Sequence, residues 1–213
     1  KSYQDQWITE GLAQFSTLFH LQKKMPWKAF ERVLDDVRRW VIRKAPSGPM
    51  VYGQRILNLG DDLEAFQSVV YNKGALVFLM FKEMLGEKKF LGRLSDLLGK
   101  HKYQNLSSGR FIRIMSQEDP VLLRFFNRWV YSRTIPTVHY RIETAGRKGT
   151  IHLRQNGTDF VFPLLLSFKD GGRTASRTIT VSDVEQTVEF TASDSIKSER
   201  LDTLYSPVQL EKE

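Results

Sequence analysis

The apolar positions of the chain change their spacing once, close to Pro136. Before that point they recur every three or four residues, as on the buried face of an amphipathic helix. After it, apolar and polar residues alternate, beginning with residues 138–142, which is typical of a strand with one face in solvent. We therefore predict an α+β fold with a helical domain at residues 1–135 and an antiparallel β-sandwich at residues 136–213.

Start and stop signals divide the first domain into helices. Asp119 and Pro120 form a cap followed by a first-turn proline, Ser107 is another cap, and Gly86 suits a helix end. A stretch rich in Gly and Pro at residues 46–62 predicts a loop. The predicted helices are residues 6–22, 26–45, 63–85 with an interruption near 72–74, 87–98, 108–115 and 120–131.

Turn signals divide the second domain into short strands. Asn156-Gly157 is expected to close a hairpin, and Asp170-Gly171-Gly172 is a second strong turn. The tail from Ser193 is polar, and we expect it to be irregular. The predicted strands are residues 138–142, 150–155, 160–168, 174–181 and 187–191.

The composition excludes several kinds of protein. The 213 residues are 41% apolar and 26% charged, which is ordinary for a globular chain. Cysteine is absent, which excludes disulfides, thiolate zinc sites and a cysteine nucleophile. The longest apolar run is Ala75–Phe81, whereas a membrane-spanning helix needs about 20 apolar residues, so no membrane span is expected in this segment.

The net charge of +8 raises the hypothesis of a nucleic-acid-binding module. Residues 1–135 contain 22 Lys and Arg against 13 Asp and Glu, and residues 136–213 contain 10 against 11, so the excess lies in the helical domain. Its basic residues are interspersed with acidic ones, as on the solvated face of amphipathic helices. Because no nucleic-acid-binding motif accompanies them, we expect no nucleic-acid partner.

The first segment with candidate chemistry is Trp7-Ile8-Thr9-Glu10-Gly11, which places a carboxylate early in an apolar helix. The small Gly11 allows another element to approach closely. Glu10 is then either a carboxylate inside a packed interface, where it needs a cation or several hydrogen-bond donors, or an exposed first-turn residue favoured by the helix dipole.

The second segment is Tyr71-Asn72-Lys73-Gly74-Ala75. Gly74 inside an apolar helix costs about 1 kcal/mol relative to Ala, and glycine in such a place usually permits a close backbone contact. Tyr71 either points its phenol into a cleft or is a core tyrosine whose hydroxyl bonds a carbonyl. The four histidines include no His-x-x-x-His pair, so the residues alone form no complete active site.

Together, Trp-x-x-Glu-Gly-Leu-Ala and Tyr-x-Lys-Gly-Ala resemble the zinc aminopeptidases of the gluzincin clan, the alanyl aminopeptidase and leukotriene hydrolase family, especially its bacterial members. The resemblance covers about residues 2–145. It implies the helical part of a thermolysin-like catalytic domain followed by a β-sandwich. It also implies a hydrolase that removes N-terminal residues from peptide substrates, with Glu10 as the third zinc ligand and Tyr71 stabilising the tetrahedral oxyanion.

The zinc-binding His-Glu-x-x-His motif of that family does not occur in these 213 residues, and the family's spacing places it just upstream of Lys1. We therefore expect the chain to be part of a longer metallopeptidase. Zinc is expected in the parent protein, whereas the fragment alone is expected to hold none and to be inactive. The alternative is a non-catalytic, peptidase-like module for peptide binding or scaffolding. Because the zinc helix would cover an apolar face, self-association of the fragment is also expected.

Overall fold

A computed structural model describes residues 3–52 and 62–213 of the protein. The chain forms two compact units, one that ends at Ile135 and one that begins at Pro136. The first unit is helical and the second consists of strands, so the predicted α+β class is confirmed. Residues 53–61 of the expected loop lie outside the described residues.

The helical unit is built from amphipathic helices around one apolar helix. No helix in the described ranges is long and apolar enough to cross a membrane. The helices are α1 (Gln6–Lys24), α2 (Trp27–Lys44), α3 (Leu63–Phe66), α4 (Lys73–Leu85), α5 (Glu87–Lys100), α6 (Ser108–Ser116) and α7 (Pro120–Tyr131).

The capping residues expected from the sequence are observed. The Asp119 carboxylate accepts hydrogen bonds from the backbone amides of Val121 and Leu122, and the Ser107 hydroxyl accepts one from the amide of Arg110. Gly86 has a φ of 80°, a conformation that favours glycine, and it separates α4 from α5. These contacts satisfy backbone groups that have no partner within the helix.

Helix α4 forms the centre of the helical unit, and its residues from Lys73 to Lys82 are all buried. The other helices pack aromatic side chains around it. Phe78 stacks on Trp7 of α1 with 5.8 Å between ring centroids, and Phe81 contacts Phe126 of α7 at 4.9 Å. Burial of rings of this size supplies most of the hydrophobic driving force that holds the helices together.

The helix was expected to be interrupted near residues 72–74, but it changes its hydrogen-bonding pattern instead of breaking. The chain runs from α3 through one π-helical turn, Gln67–Asn72, directly into α4. In this turn the amide of Lys73 donates to the carbonyl of Ser68, five residues earlier. Gly74 does not break the helix, because its role is to allow another backbone to approach.

The second unit is a sandwich of two sheets. One sheet has the strand order β5-β2-β1-β7 and the other β4-β3-β6. Phe168 and Phe190, one from each sheet, contact each other with 5.1 Å between ring centroids. All pairings are antiparallel except that of β1 with β7. The strands are β1 (Thr137–Ala145), β2 (Lys148–Gln155), β3 (Phe162–Asp170), β4 (Arg173–Val181), β5 (Glu185–Thr191), β6 (Glu199–Asp202) and β7 (Gln209–Lys212).

The expectation of an irregular tail after Ser193 is wrong, because the tail contributes β6 and β7. Both strands are four residues long and lie at sheet edges. In β7 three of the four residues are charged or amide side chains, and most are exposed. Such a strand is held by backbone hydrogen bonds, so it leaves no alternating apolar pattern for sequence analysis to detect.

The expected hairpin at Asn156-Gly157 is also wrong, because β2 and β3 belong to different sheets. The segment carries the chain from one sheet to the other, and Gln155 holds it. The buried Gln155 amide nitrogen donates to the carbonyls of Phe160 (2.8 Å) and Asp183 (3.0 Å), and its oxygen accepts from the amide of Phe160 (3.0 Å). A side chain thus replaces the strand pairing that a hairpin would supply.

We predict that Gln155→Ala destabilises the sandwich by at least about 2 kcal/mol. The substitution removes the three hydrogen bonds that Gln155 makes to the backbone of Phe160 and Asp183, two of which are buried, and loss of a buried bond costs about 1–3 kcal/mol. Urea unfolding followed by circular dichroism measures the change. Gln209→Ala on the exposed β7 is the matched control and is expected to have little effect. Equal stability of the two variants would contradict the role assigned to Gln155.

Candidate active site

Helices α1 and α4 approach each other so closely that glycine is required on both. A Cβ atom at Gly74 would lie 2.9 Å from the Cα of Gly11 and 3.3 Å from the carbonyl oxygen of Trp7. A Cβ atom at Gly11 would lie 3.0 Å from the Cα of Gly74. The contacts are with backbone, which cannot rotate away, so any larger residue would push the helices apart.

This crossing brings Glu10 and Tyr71 together. Glu10 precedes Gly11 on α1, and Tyr71 lies in the π-helical turn three residues before Gly74. Both side chains are half-buried, and the Tyr71 phenol lies within reach of a hydrogen bond to the Glu10 carboxylate. The Glu10 carboxylate therefore lies at a helix interface beside a phenol, and the polar group nearest to the phenol is a side-chain carboxylate.

Burial raises the pKa of the Tyr71 phenol, and the hydrogen bond to Glu10 and the negative charge of that residue raise it further. A raised pKa keeps the proton on the phenol at neutral pH, so Tyr71 is a hydrogen-bond donor. Its ring packs edge-on against Phe66 of α3, with 5.9 Å between centroids, which limits the directions the phenol can take.

Two further contacts hold the elements that carry this pair. The carboxylate of Asp5 accepts from both the amide (2.6 Å) and the hydroxyl (2.8 Å) of Ser108, and the indole of Trp7 donates to the same hydroxyl (2.9 Å). These bonds tie the start of α1 to the start of α6. Asp62 caps α3 through the amide of Ala65 and pairs with Lys44 of α2 at 3.0 Å.

Lys73 is fully buried beside this site, which the sequence analysis did not anticipate. Its ammonium nitrogen lies 2.7 Å from the carbonyl oxygen of Ser132, just beyond the end of α7. Burial lowers the pKa of Lys73 to about 7. A lysine within an otherwise apolar run was the available signal, but lysines at such positions usually extend their ammonium group to solvent.

Three of the histidines make side-chain contacts within the described part of the chain, and none of these contacts is with Glu10 or Tyr71. His139 contacts Glu211 and His152 contacts Thr187 within the β-unit, and His101 contacts Gln104 after α5. Within residues 3–52 and 62–213, no three His, Asp or Glu side chains converge on a point that could hold a metal ion. A catalytic zinc ion needs three protein ligands, so Glu10 alone does not fit one.

Comparison with known proteins identifies the family to which this chain belongs. Residues 1–129, which include Glu10 and Tyr71, match the peptidase family M1 domain. The chain belongs to peptidase family M1. The matched range contains all of α1 to α6 and most of α7, so the family assignment rests on the helical unit.

The M1 chain is similar to several aminopeptidases. It is 30% identical over 104 residues to human endoplasmic reticulum aminopeptidase 2, a match that covers 48% of this chain and 11% of that protein. It is 28% identical over 105 residues to the alanine/arginine aminopeptidase of Saccharomyces cerevisiae, covering 48% and 12%. The human thyrotropin-releasing hormone-degrading ectoenzyme is 24% identical over 205 residues, covering 83% and 19%.

A solved structure shows the same fold over both units of the M1 chain. Aminopeptidase A of Legionella pneumophila, in complex with aspartic acid, matches 99% of this chain and 24% of its own length with a TM-score of 0.68 and 18% identity. The matches therefore span between 11% and 24% of the length of these proteins. Peptidases of the M1 family are zinc enzymes, and the described residues of this chain contain no complete metal site.

We predict that Gly74→Ala destabilises the helical unit by about 1–3 kcal/mol, the usual cost of overpacking a tight contact. Its new Cβ would meet the Gly11 backbone. Gly92→Ala in α5 is the matched control, because a Cβ there meets nothing within 4 Å and alanine favours a helix by about 1 kcal/mol. Thermal unfolding distinguishes the two, and a Gly74→Ala protein as stable as Gly92→Ala would refute the close crossing.

We predict that Lys73 makes stability depend on pH. Its pKa is about 7 in the folded protein and 10.5 in the reference state, so between these values the unfolded chain holds a proton that the folded chain lacks. The free energy of unfolding should then rise with pH across this window, by up to about 1.4 kcal/mol per pH unit from this residue.

Lys73→Met should remove this contribution, so that its stability falls further behind that of the wild type as pH increases from 7 to 10. Urea unfolding at several pH values measures the difference. Lys28→Met, at an exposed position of α2, should keep the wild-type slope. Parallel curves for wild type and Lys73→Met would show that the buried lysine keeps its ordinary pKa.

Proposed function

We propose that these 213 residues are part of a zinc-dependent aminopeptidase that hydrolyses N-terminal residues from peptides. The observation that carries this proposal is the contact between the Tyr71 phenol and the Glu10 carboxylate in an M1 domain. Glu10 supplies one zinc ligand, and Tyr71 donates a hydrogen bond to the substrate. The names of the similar proteins, two aminopeptidases and a thyrotropin-releasing hormone-degrading ectoenzyme, support the substrate class.

The chemistry divides between this chain and the rest of the parent protein. A zinc ion held by Glu10 and two histidines from outside these residues would polarise the first peptide carbonyl and activate a water molecule. Glu10 lies half-buried where α1 meets the π-helical turn. Because the helix crossing sets the position of α1, the carboxylate needs little reorganisation to act as a ligand.

Tyr71 acts on the substrate. Its raised pKa keeps the phenol protonated, so it can donate to the carbonyl oxygen as that oxygen gains negative charge in the tetrahedral intermediate. A donor that is already oriented by packing against Phe66 costs no reorganisation at the moment of reaction. One such donor typically contributes about 10²- to 10³-fold to kcat.

The isolated chain is proposed to be inactive and to self-associate. One carboxylate cannot hold a catalytic zinc, so the fragment lacks the polarising group. An apolar groove of about 880 Å³ lies between α1, α5 and the following loop, and leucines line it. Leu98, on its edge, is 59% exposed. Such a surface favours association with a second copy in solution.

We predict that the coding region upstream of Lys1 carries His-Glu-x-x-His and that the protein including it binds zinc. In that protein, Glu10→Gln should lower the zinc content, because the amide is a much poorer ligand than the carboxylate. Tyr71→Phe should retain zinc but lower kcat by about 10²- to 10³-fold. Metal analysis and a peptide-hydrolysis assay measure both effects.

Tyr52→Phe is the matched control, because Tyr52 is exposed and should leave zinc content and kcat unchanged. An upstream sequence without the motif, in a protein that binds peptides without cleaving them, would favour the non-catalytic alternative. Unchanged zinc content in Glu10→Gln would refute the role of Glu10. Chelator-sensitive peptidase activity from the 213 residues alone would refute the proposal that the zinc site needs residues from outside this chain.

A further inference from the structure

The neighbours of Glu10 and Tyr71 contact each other as well. Gln14 lies one helical turn after Glu10 on α1, and Asn72 follows Tyr71 as the last residue of the π-helical turn. The side-chain nitrogen of Gln14 lies 3.4 Å from the side-chain oxygen of Asn72, to which it donates. Both side chains are half-buried, so solvent only partly competes for this bond.

We propose that Gln14 and Asn72 are positioning residues that hold Tyr71 beside Glu10. The proposal rests on the proposed function, in which that pair forms part of the active site. Neither residue touches the reacting atoms in this role. They act by fixing the π-helical turn against α1. We call the pair formed by Gln14 and Asn72 the amide clasp.

The amide clasp supplements the packing that already holds these elements together. The Gly11–Gly74 contact sets the distance between the two helices three residues after Tyr71. The π-helical turn also packs against α1 and α2 through buried side chains. The amide clasp adds a polar contact with defined partners, one residue after Tyr71 and one turn after Glu10.

The chemistry of the clasp also suits its place. Gln14 and Asn72 are neutral, so they introduce no second negative charge beside Glu10 and no cation that would compete for its carboxylate. The Tyr71 phenol therefore remains the donor to Glu10. A charged pair at the same positions would hold the elements together but would also alter the electrostatics of the carboxylate.

The test measures the Tyr71–Glu10 contact in the 213-residue chain itself. Tyrosine is labelled with ¹³C at Cζ, whose chemical shift responds to hydrogen bonding of the phenol. The Tyr71 resonance is identified by its loss in Tyr71→Phe, and Glu10→Gln supplies the shift of a phenol without its carboxylate partner. Thermal unfolding of every variant shows whether it is folded.

We expect Gln14→Ala and Asn72→Ala each to move the Tyr71 resonance most of the way towards its position in Glu10→Gln. The double variant should move it no further than either alone, because the two side chains act as one unit. Asn72→Gln retains a neutral acceptor for Gln14 and should keep the Tyr71 resonance closer to its wild-type position than Asn72→Ala does. Gln67→Ala, an exposed amide in the same π-helical turn, should leave the resonance in place.

A Tyr71 resonance that stays in place in folded Gln14→Ala and Asn72→Ala would overturn the proposal, since a merely structural contact would change only the unfolding temperature. This outcome is distinguishable from failure of the proposed function. A parent protein without zinc would refute the function while leaving the resonance shifts as evidence for the clasp. Normal zinc content with an unmoved resonance would refute the clasp alone.

Discussion

The backbone contact between Gly11 and Gly74 determines where the other parts of the helical unit lie. With Gly74 Cβ absent, α4 approaches α1 to within ordinary backbone contact, and the aromatic side chains of α1, α6 and α7 close around it. The same approach places Glu10 beside Tyr71. Packing and chemistry therefore depend on one steric condition, because a wider crossing would open both the aromatic core and the distance between carboxylate and phenol.

The polar groups near this crossing show how the surrounding core accommodates them. Lys73 is buried with the Ser132 carbonyl as its hydrogen-bond acceptor, and its lowered pKa reflects the cost of charging an amine there. Glu10 lies nearer the surface and keeps a donor in Tyr71. The helical unit thus keeps a carboxylate within a packed interface by giving it a hydrogen-bond partner, and it reduces the charge of the lysine by desolvation.

Much of the fold could be predicted because its signals are local. The caps at Ser107 and Asp119 and the glycine at Gly86 determine helix ends through their own backbone amides and φ angle. The π-helical turn was not predicted, since the sequence carries no local signal that distinguishes it from ordinary α-helix. The strands β6 and β7 were missed because edge pairing needs only backbone groups, and Asn156-Gly157 was misassigned because a turn signal does not reveal which sheet the next strand joins.

For the site, the resemblance of two short segments pointed to Glu10 and Tyr71 as candidate residues, which helical spacing alone could not have done. Glu10 and Tyr71 are 61 positions apart in the sequence. They lie close together because Gly11 and Gly74, which are 63 positions apart, allow their two helices to touch. The residues proposed to position this pair, Gln14 and Asn72, belong to no sequence motif. Their contact becomes visible only in the folded structure, where the helix crossing brings them together. The helix crossing brings Glu10 and Tyr71 together within this chain, so the arrangement of these two candidate residues is set by the fold of the helical unit.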